Sequence, residues 1–296
     1  METAIIINVS DRPTELAMLL ESLKYQTYKN FDIYILDDCS GTPLNVYHFL
    51  NCIITRLKLE AHKIFIKRTD FKHGVSRARQ VIVDWAMEGD YEYFVRVDDD
   101  VILEADYLEK LIHLSKTYDI CSGVTVPMAG PTLKRDPKYL KGIVNRVIFD
   151  DKGKMIMNGD SCGCEYTDRA ILLADHFRSC ALIKRSVHEK VKYYPTKLSK
   201  HGFREENIFS FNAIIEGFTI GVDTSAVTWH MQTPSGGERP TTNMTPFNQE
   251  IFEEFTKKMF EKHGDFIKEY HKKNGIEEEE MSDLELLKED NLITRK

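Results

Sequence analysis

The stretch Tyr93-Phe94-Val95-Arg96-Val97, followed directly by Asp98-Asp99-Asp100, decides the fold of this chain. Its first five residues are apolar enough to predict a buried strand. Because side chains alternate along an extended backbone, Asp98 and Asp100 are expected to project to one side and Asp99 to the other. Two carboxylates this close repel each other unless a cation lies between them. The run therefore indicates either a cation site or a solvated acidic turn.

Predicted strands and helices alternate on both sides of this stretch. The sequence predicts strands at 4–9, 31–36, 64–66 and 119–126, and helices that begin near Pro13 and Gly74 or span 107–118. This order is typical of an α/β protein with a mostly parallel sheet and helices on both faces. Such sheets bind ligands at the carboxyl ends of their strands, where the acidic run lies. A divalent ion held there by one or two carboxylates would keep its other positions for phosphate oxygens.

The pattern changes beyond residue 126. Residues 127–175 are turn-rich, with a predicted hairpin between 147–149 and 155–157. A strand at 180–183, a helix at 205–215 and two short strands at 218–222 and 226–229 follow, and residues 241–296 are predicted to form a helical extension. We therefore expect three parts, which are residues 1–126, 127–240 and 241–296.

The composition excludes several classes of protein. The chain has 296 residues, 42% of them hydrophobic and 29% charged, which is typical of a soluble globular protein. Its net charge of -7 argues against general nucleic-acid binding. No segment is as long as a membrane span, and no signal peptide is predicted, so we expect a cytoplasmic protein. Only two of the six cysteines, Cys162 and Cys164, are closely spaced, and we expect reduced thiols rather than a zinc site.

Several motifs stand in a fixed order along the chain. They are Val9-Ser10-Asp11-Arg12-Pro13, Asp37-Asp38 with Ser40, Gly74-Val75-Ser76-Arg77-Ala78-Arg79, the acidic run, Phe203-Arg204-Glu205-Glu206, and Trp229-His230. This ordered set resembles the family 2 glycosyltransferases of the GT-A fold over roughly residues 1–240. The resemblance implies a GT-A (Rossmann-like) sheet. It also implies inverting, metal-dependent transfer of a sugar from a nucleoside diphosphate donor, with a UDP-sugar favoured, to a hydroxyl acceptor.

The resemblance assigns donor-binding roles to residues 1–126. Asp37 and Asp38 match the acidic pair that contacts base and ribose, and a carboxylate, which only accepts, suits a uracil ring N–H. Arg79 would reach the acidic run or the diphosphate from a helix that begins favourably for phosphate. Taken by themselves, the acidic pair could be an ordinary turn and Arg79 a surface side chain. The remaining donor-site candidates are Val9, Asp11, Arg12, Asp98, Asp99 and Arg239.

The family's metal ligands match three positions. In the family the last residue of the acidic motif ligates Mn²⁺ or Mg²⁺, which bridges the diphosphate and acts as a Lewis acid. Asp100 takes that place here, with Asp98 beside it, and His230 matches the position of a further ligand. An imidazole ligand would favour Mn²⁺ somewhat over Mg²⁺. The alternative for His230 is a polar side chain that only ends a strand.

The family's catalytic base matches Glu206. The chemistry needs a carboxylate that takes a proton from the acceptor hydroxyl as the sugar's anomeric carbon is attacked. The family pattern often has Asp at this position, and the longer Glu leaves Glu205 as an alternative base. Two glutamates at a helix N-terminus could also merely stabilise the helix dipole. Residues 127–240, the acceptor-binding part, would hold this base and His230.

Two further features concern the donor and the acceptor. The loop 233–240 contains Gly236 and Gly237, so it could close over a donor with Arg239 near the diphosphate, or be a plain linker. Segments 134–154 and 184–204 are basic and would suit an anionic acceptor, or be a solvated face. The alternatives to a glycosyltransferase are a sugar nucleotidyltransferase, which should carry a Gly-rich loop after the first strand, and a catalytically silent nucleotide-sugar-binding subunit.

Overall fold

The computed structural model describes residues 2–130, 132–149, 155–157, 159–193, 202, 205–237 and 268–276. The first seven strands are β1 (Thr3–Val9), β2 (Phe31–Asp37), β3 (Ile64–Arg68), β4 (Tyr93–Asp98), β5 (Val101–Leu103), β6 (Ile120–Pro127) and β7 (Leu133–Arg135). The next seven are β8 (Ile143–Val144), β9 (Val147–Phe149), β10 (Met155–Met157), β11 (Cys164–Tyr166), β12 (Ile171–Ala174), β13 (Ala181–Lys184) and β14 (Ile220–His230). The helices are α1 (Pro13–Lys24), α2 (His48–Leu59), α3 (Val75–Ala86), α4 (Tyr107–Leu114), α5 (Arg185–Lys190) and α6 (Glu205–Ile215).

One large sheet organises the molecule. Its strands run in the order β3-β2-β1-β4-β13-β6-β14-β12-β8, and β5 pairs with the last residues of β14. The first four strands in this order are parallel. β13 is antiparallel to both of its neighbours, and β14 is parallel to β6. The predicted α/β class with a central sheet and flanking helices is confirmed, and the antiparallel strands make the sheet mixed.

The strand register brings the predicted motifs to one edge of the sheet. Asn8 near the end of β1 lies opposite Asp98 at the end of β4, and Val9 lies opposite Asp37 at the end of β2. Because these strands are parallel, the segments that follow them leave the sheet at the same edge. Asp11, Asp38 and the acidic run are therefore neighbours in space although far apart in sequence.

The core lies on both faces of this sheet because β1 is buried on both sides. Ile5 and Ile7 pack on the face covered by α1, α2 and α4, whereas Ala4 and Ile6 pack on the face covered by α3 and α6. The predicted helical spacing in α1 is confirmed, since its buried residues are Leu16, Ala17, Leu19, Leu20 and Leu23. Each such leucine contributes about 1.5–3 kcal/mol to folding by burial.

Several elements differ from the sequence prediction. α2 was not predicted, although Leu50, Ile54 and Leu57 recur at helical spacing and are buried. The two short strands predicted at 218–222 and 226–229 are one strand, β14, whose pairing with β6 shifts register between Val222 and Val227. The helix predicted to end at residue 118 ends at Leu114. The predicted hairpin is confirmed, because β9 and β10 pair antiparallel.

The predicted parts are joined through shared structure. β14 pairs along β6, so residues from both sides of the expected boundary at 126 belong to one sheet. Most of the predicted helical extension lies outside the described residues, but residues 268–273 form a helical turn. There, His271 Nε2 contacts Asp175 Oδ1 at 2.9 Å and Tyr270 packs against the α3 and α6 face of the core. In the described part of the chain, no helix has both the length and the apolar composition needed to cross a membrane.

Candidate active site

A cavity of about 380 Å³ opens at the sheet edge where β1 and β4 end. Open α/β sheets bind ligands at this position, because the segments leaving the strands diverge there. Ten of the residues predicted from the sequence line it, namely Val9, Arg12, Asp38, Arg79, Asp98, Asp99, Asp100, Glu205, Glu206 and His230. The fold thus gathers side chains from six separate segments of the chain around one space.

Asp98 is held by two arginines and a hydroxyl group. Its carboxylate accepts hydrogen bonds from Arg79 and from Ser179, and Arg96 Nη2 lies 3.8 Å from its Oδ1. Burial alone would raise the pKa of Asp98, but the charges of Arg79 and Arg96 hold it well below the usual range. Asp98 is therefore ionised, and its charge is compensated by the protein itself.

Asp99 and Asp100 share one cation. Arg12 Nη1 lies 2.8 Å from Asp99 Oδ1 and 3.0 Å from Asp100 Oδ2. The prediction that Asp99 points away from its neighbours is wrong, because β4 ends at Asp98 and the alternation of a strand ends with it. Burial raises the pKa of Asp99 to about 7, and the charge of Asp100 adds to this while Arg12 opposes it. Arg12 thus compensates two adjacent carboxylates, which lie beside Asp98 in the cavity.

Asp100 also meets the predicted histidine. His230 Nε2 lies 3.2 Å from Asp100 Oδ1, and the backbone N–H of Met231 donates to the Asp100 carbonyl at 2.9 Å. The pairing of β14 with β5 fixes this contact, since His230 lies opposite Val101. Burial would raise the pKa of Asp100, but the hydrogen bond from His230 and the charge of Arg12 lower it. The two side chains converge on one point of the cavity wall.

This pair fits a divalent ion that completes its coordination with ligand atoms. A carboxylate oxygen and an imidazole nitrogen are donors that Mn²⁺ accepts, and nucleotide-bound ions commonly take only one or two protein carboxylates. Among the described residues, no group of three or more His, Cys, Asp or Glu side chains could hold a metal ion. The donor set therefore fits an ion bound together with phosphate oxygens and water, rather than a cage made by protein alone.

The two glutamates at the start of α6 have different surroundings. Arg96 donates to both oxygens of Glu205, at 2.7 and 3.1 Å, and both side chains are buried. Glu206 is half-buried, lines the cavity and forms no ion pair with a described residue. Burial, and then the charge of Glu205, raise the pKa of Glu206, although Arg96 and Arg178 oppose this. Glu206 is thus the glutamate whose carboxylate can take up a proton in the cavity.

The acidic pair after β2 is engaged by the protein. Asp38 accepts hydrogen bonds from the backbone N–H of His73 and of Gly74, both at 3.0 Å, and so fixes the turn before α3. Asp37 accepts from Arg68 Nη1 at 2.8 Å and does not line the cavity. Asp11, which accepts from Lys72 at 3.0 Å, also lies outside the lining. The contact of Asp37 and Asp38 with a nucleotide base stays a prediction.

The loop after β14 returns to the cavity. The backbone N–H of Gly237 donates to the Ser10 carbonyl at 2.7 Å, and Arg12 Nε donates to the Ser235 carbonyl at 3.2 Å. Gly236 has φ +72°, and a Cβ added there would lie 2.6 Å from the Asp11 carbonyl oxygen, so this close approach requires glycine. Arg239 lies outside the described residues.

Sequence reasoning did not identify several cavity residues. Arg96 lies inside a predicted apolar strand and was given no role. A charged residue in such a strand indicates a buried partner of opposite charge, and this signal could have identified it. Asn8, Arg178 and Ser179 also line the cavity, and nothing in the sequence pattern distinguished them. Cys162 lines it too, whereas Cys164 is buried on β11. None of the six cysteines, all within the described ranges, forms a disulfide.

Several solved structures share this fold. S. aureus TarS 1-349 matches with a TM-score of 0.53 at 13% identity, over 78% of this chain and 60% of that chain. The same protein in complex with UDP-GlcNAc gives a TM-score of 0.56 at 13% identity, over 83% and 62%. GalNAc-T7 with UDP, GalNAc and Mn2+ gives 0.58 at 12% identity, over 83% and 46%. The chain therefore spans less than two thirds of each of these structures.

The sequence itself identifies the family. No curated protein sequence matches the chain. However, residues 4–192, more than half of the chain, match the profile of the family described as Glycosyl transferase family 2. This range contains the acidic pair Asp37-Asp38, the acidic run and Arg79, whereas Glu205, Glu206 and His230 lie beyond it. Together with the sheet order and the solved structures, the match shows that the chain belongs to glycosyl transferase family 2, a family of glycosyltransferases, and has the GT-A fold.

Proposed function

We propose that this protein is an inverting, metal-dependent glycosyltransferase that transfers a hexose or an N-acetylhexosamine from a UDP-sugar to a hydroxyl acceptor. One observation carries the proposal: the cavity combines a half-buried glutamate of raised pKa, Glu206, with the converging pair Asp100 and His230. A base and a cation site in one cavity are what a single displacement at a sugar carbon needs. The family match favours this function over a nucleotidyltransferase or a silent binding subunit.

Asp100 and His230 are the residues that would hold Mn²⁺ or Mg²⁺. Their contact of 3.2 Å supports this role, and the complex of GalNAc-T7 with UDP and Mn2+ is consistent with it. When bound, the ion would neutralise charge that develops on the departing diphosphate. Asp98 was also a candidate ligand, but its bonds to Arg79 and Ser179 favour a different role, in which it orients those two side chains.

The donor would lie along the edge formed by β1, β2 and β4. Arg12 and Arg79 are cations at this edge, and each already contacts the acidic run. Val9, Asp38 and Asp99 line the cavity and remain donor-site candidates, together with Asp11 and Asp37, which do not line it. The solved complexes with UDP or UDP-GlcNAc support a uridine nucleotide.

Glu206 is the proposed general base. Its raised pKa makes it a stronger proton acceptor than an ordinary glutamate, and its position in the cavity gives it access to an acceptor hydroxyl. Glu205 is disfavoured because Arg96 occupies both of its oxygens. In the reaction, Glu206 would take the hydroxyl proton while the acceptor oxygen bonds to the anomeric carbon from the side opposite the diphosphate. The bond between that carbon and the diphosphate oxygen would break, and UDP would leave. A cytoplasmic location is part of the proposal.

Calorimetry with nucleotides tests the donor site. UDP should bind in the presence of Mn²⁺ and bind much more weakly when a chelator removes the ion. CDP and GDP under the same conditions are the matched controls for base recognition. Equal affinity for all three nucleotides, or an affinity for UDP that does not depend on Mn²⁺, would contradict the proposal.

A further inference from the structure

Four arginines line the described cavity, and they differ in their partners. Arg12 pairs with Asp99 and Asp100, and Arg96 pairs with Glu205 at 2.7 Å. Arg79 pairs with Asp98. Arg178 forms no ion pair with any residue that the structure describes, and its Nε is buried without a hydrogen-bond partner. Arg178 is therefore the one arginine in this set of four that has no described carboxylate within ion-pair distance.

The backbone holds Arg178 at the cavity. Arg178 directly precedes Ser179, whose hydroxyl donates to Asp98. β13 begins two residues after Ser179. The guanidinium lies against the backbone of Gly159, where an added Cβ would be only 2.2 Å from Nη2. A glycine at this position leaves room for the side chain, and a larger residue would displace it. Arg178 is thus a placed side chain rather than a solvated one.

Arg178 lines the same cavity as Glu206. Its charge is among those that lower the pKa of Glu206, against the larger effects of burial and Glu205. Arg178 is partly exposed, but its buried Nε–H has no described hydrogen-bond partner, and such an unmet donor is costly until an acceptor pairs with it. Arg binds carboxylate and phosphate groups in a bidentate manner.

We propose that Arg178 binds an anionic group of the acceptor, a carboxylate or a phosphate, beside the hydroxyl that Glu206 deprotonates. This inference rests on the proposed function and specifies its acceptor as acidic. Arg178 would be a recognition residue, which orients the acceptor and selects it over a neutral sugar. The predicted basic character of segments 134–154 and 184–204 agrees with an acidic acceptor.

Binding of small probes to the full chain tests this inference. The protein is first saturated with UDP and Mn²⁺, and calorimetry then measures the affinity for four probes. Glucose 6-phosphate is compared with glucose, and methyl β-glucuronide with methyl β-glucoside, so that phosphate and carboxylate are tested separately. We expect at least one anionic probe to bind about tenfold to a hundredfold more tightly than its neutral counterpart.

Two variants assign this preference to Arg178. Arg178→Gln should abolish it, and Gly159→Ala should also weaken it, because the new Cβ displaces the guanidinium while every charge is kept. Arg56→Gln, on an exposed face of α2, is the control for net charge and should keep the preference. The melting temperature of each full-length variant is compared with that of the native sequence, so that loss of binding is separated from loss of folding.

The outcomes are distinct from those for the donor site. Equal affinity for anionic and neutral probes, or no binding of any probe, would overturn the inference while UDP binding with Mn²⁺ stays intact. A preference that survives in Arg178→Gln would also overturn it. If Arg178→Gln instead weakens UDP binding, Arg178 contacts the donor diphosphate and the acceptor assignment is wrong. Failure of UDP itself to bind counts against the proposed function.

Discussion

Arg96 donates to both carboxylate oxygens of Glu205, at 2.7 and 3.1 Å, from within β4, where only apolar residues precede it. The guanidinium is buried between the rings of Phe177 and Tyr193, whose centroids lie 5.3 and 5.6 Å from its Cζ. This bidentate pair ties the start of α6 to β4 and so fixes the direction of the next side chain. The Arg96–Glu205 ion pair therefore positions Glu206 in the cavity.

Glu205→Gln should destabilise the fold. The substitution keeps the shape of the side chain, but among the described carboxylates it leaves Arg96 only Asp98, 3.8 Å away, as an ion-pair partner. Breaking one side of a buried ion pair typically costs about 3–5 kcal/mol, and urea unfolding would measure it. Glu206→Gln is the matched control. Because the pKa of Glu206 is raised, its ionised form makes the folded state less stable when the pH lies above that pKa. The uncharged amide of Glu206→Gln should therefore leave the free energy of unfolding at pH 7 unchanged or slightly higher. Equal stability of the two variants would contradict this.

The rate of transfer should depend on pH through Glu206. A general base acts only when deprotonated, and burial together with Glu205 raises the pKa of Glu206. We therefore expect kcat to rise with pH through a value above that of an ordinary glutamate and then level off. Because Arg178 lowers this pKa, Arg178→Gln should move the rise to higher pH. A rise that does not move in Arg178→Gln would assign the titration to another group, such as Asp99.

Asp100→Ala should remove the dependence of UDP binding on Mn²⁺. The variant deletes the carboxylate that contacts His230 and Arg12, and with it the proposed oxygen ligand. Loss of an outer-shell partner alone costs about 10–100-fold in metal affinity, so loss of a direct ligand should cost more. Asp106→Ala, on an exposed side chain that pairs with Lys110, is the control and should bind UDP normally. Unchanged affinity for UDP and Mn²⁺ in Asp100→Ala would rule out its role.

Gly236→Ala should weaken donor binding more than it slows turnover. An alanine there would meet the Asp11 carbonyl oxygen at 2.6 Å, so residues 235–237 must move away from Arg12. We expect a higher KM for the UDP-sugar with a smaller change in kcat. Gly275→Ala has a similar φ of +70°, compared with +72° at Gly236, but nothing lies within 4 Å of its added Cβ. It therefore tests backbone strain without the clash. Equal KM values in the two variants would contradict a role for this loop.

Residues with a strong local signal were predicted well. The strand before the acidic run, the apolar spacing of α1 and the hairpin at 147–157 are local patterns, and the structure contains all three. The order of the motifs also predicted the family, which the match over residues 4–192 confirms. The antiparallel insertion of β13 was not predictable, because strand direction depends on which distant strand it pairs with.

The cavity shows why side-chain partners were harder to predict. Alternation along a strand suggested that Asp99 points away, but it holds only while the strand continues, and Arg12 draws Asp99 and Asp100 together. The choice between Glu205 and Glu206 depended on Arg96, a residue 109 positions away in sequence. Arg178 had no signal in the sequence, because the feature that distinguishes it, a buried Nε without a hydrogen-bond partner in the described part of the chain, depends on its three-dimensional surroundings.

Release of UDP from UDP-sugars by the purified chain is the measurement that tests the central claim most directly. UDP-glucose, UDP-galactose, UDP-GlcNAc and UDP-GalNAc are assayed with Mn²⁺ and with a chelator, for the native sequence and for Glu206→Gln. We predict Mn²⁺-dependent release from at least one donor. In Glu206→Gln we predict a rate about 10²–10⁴ lower, with the affinity for UDP and Mn²⁺ retained. No release from any of these donors, or an undiminished rate in Glu206→Gln, would contradict the account.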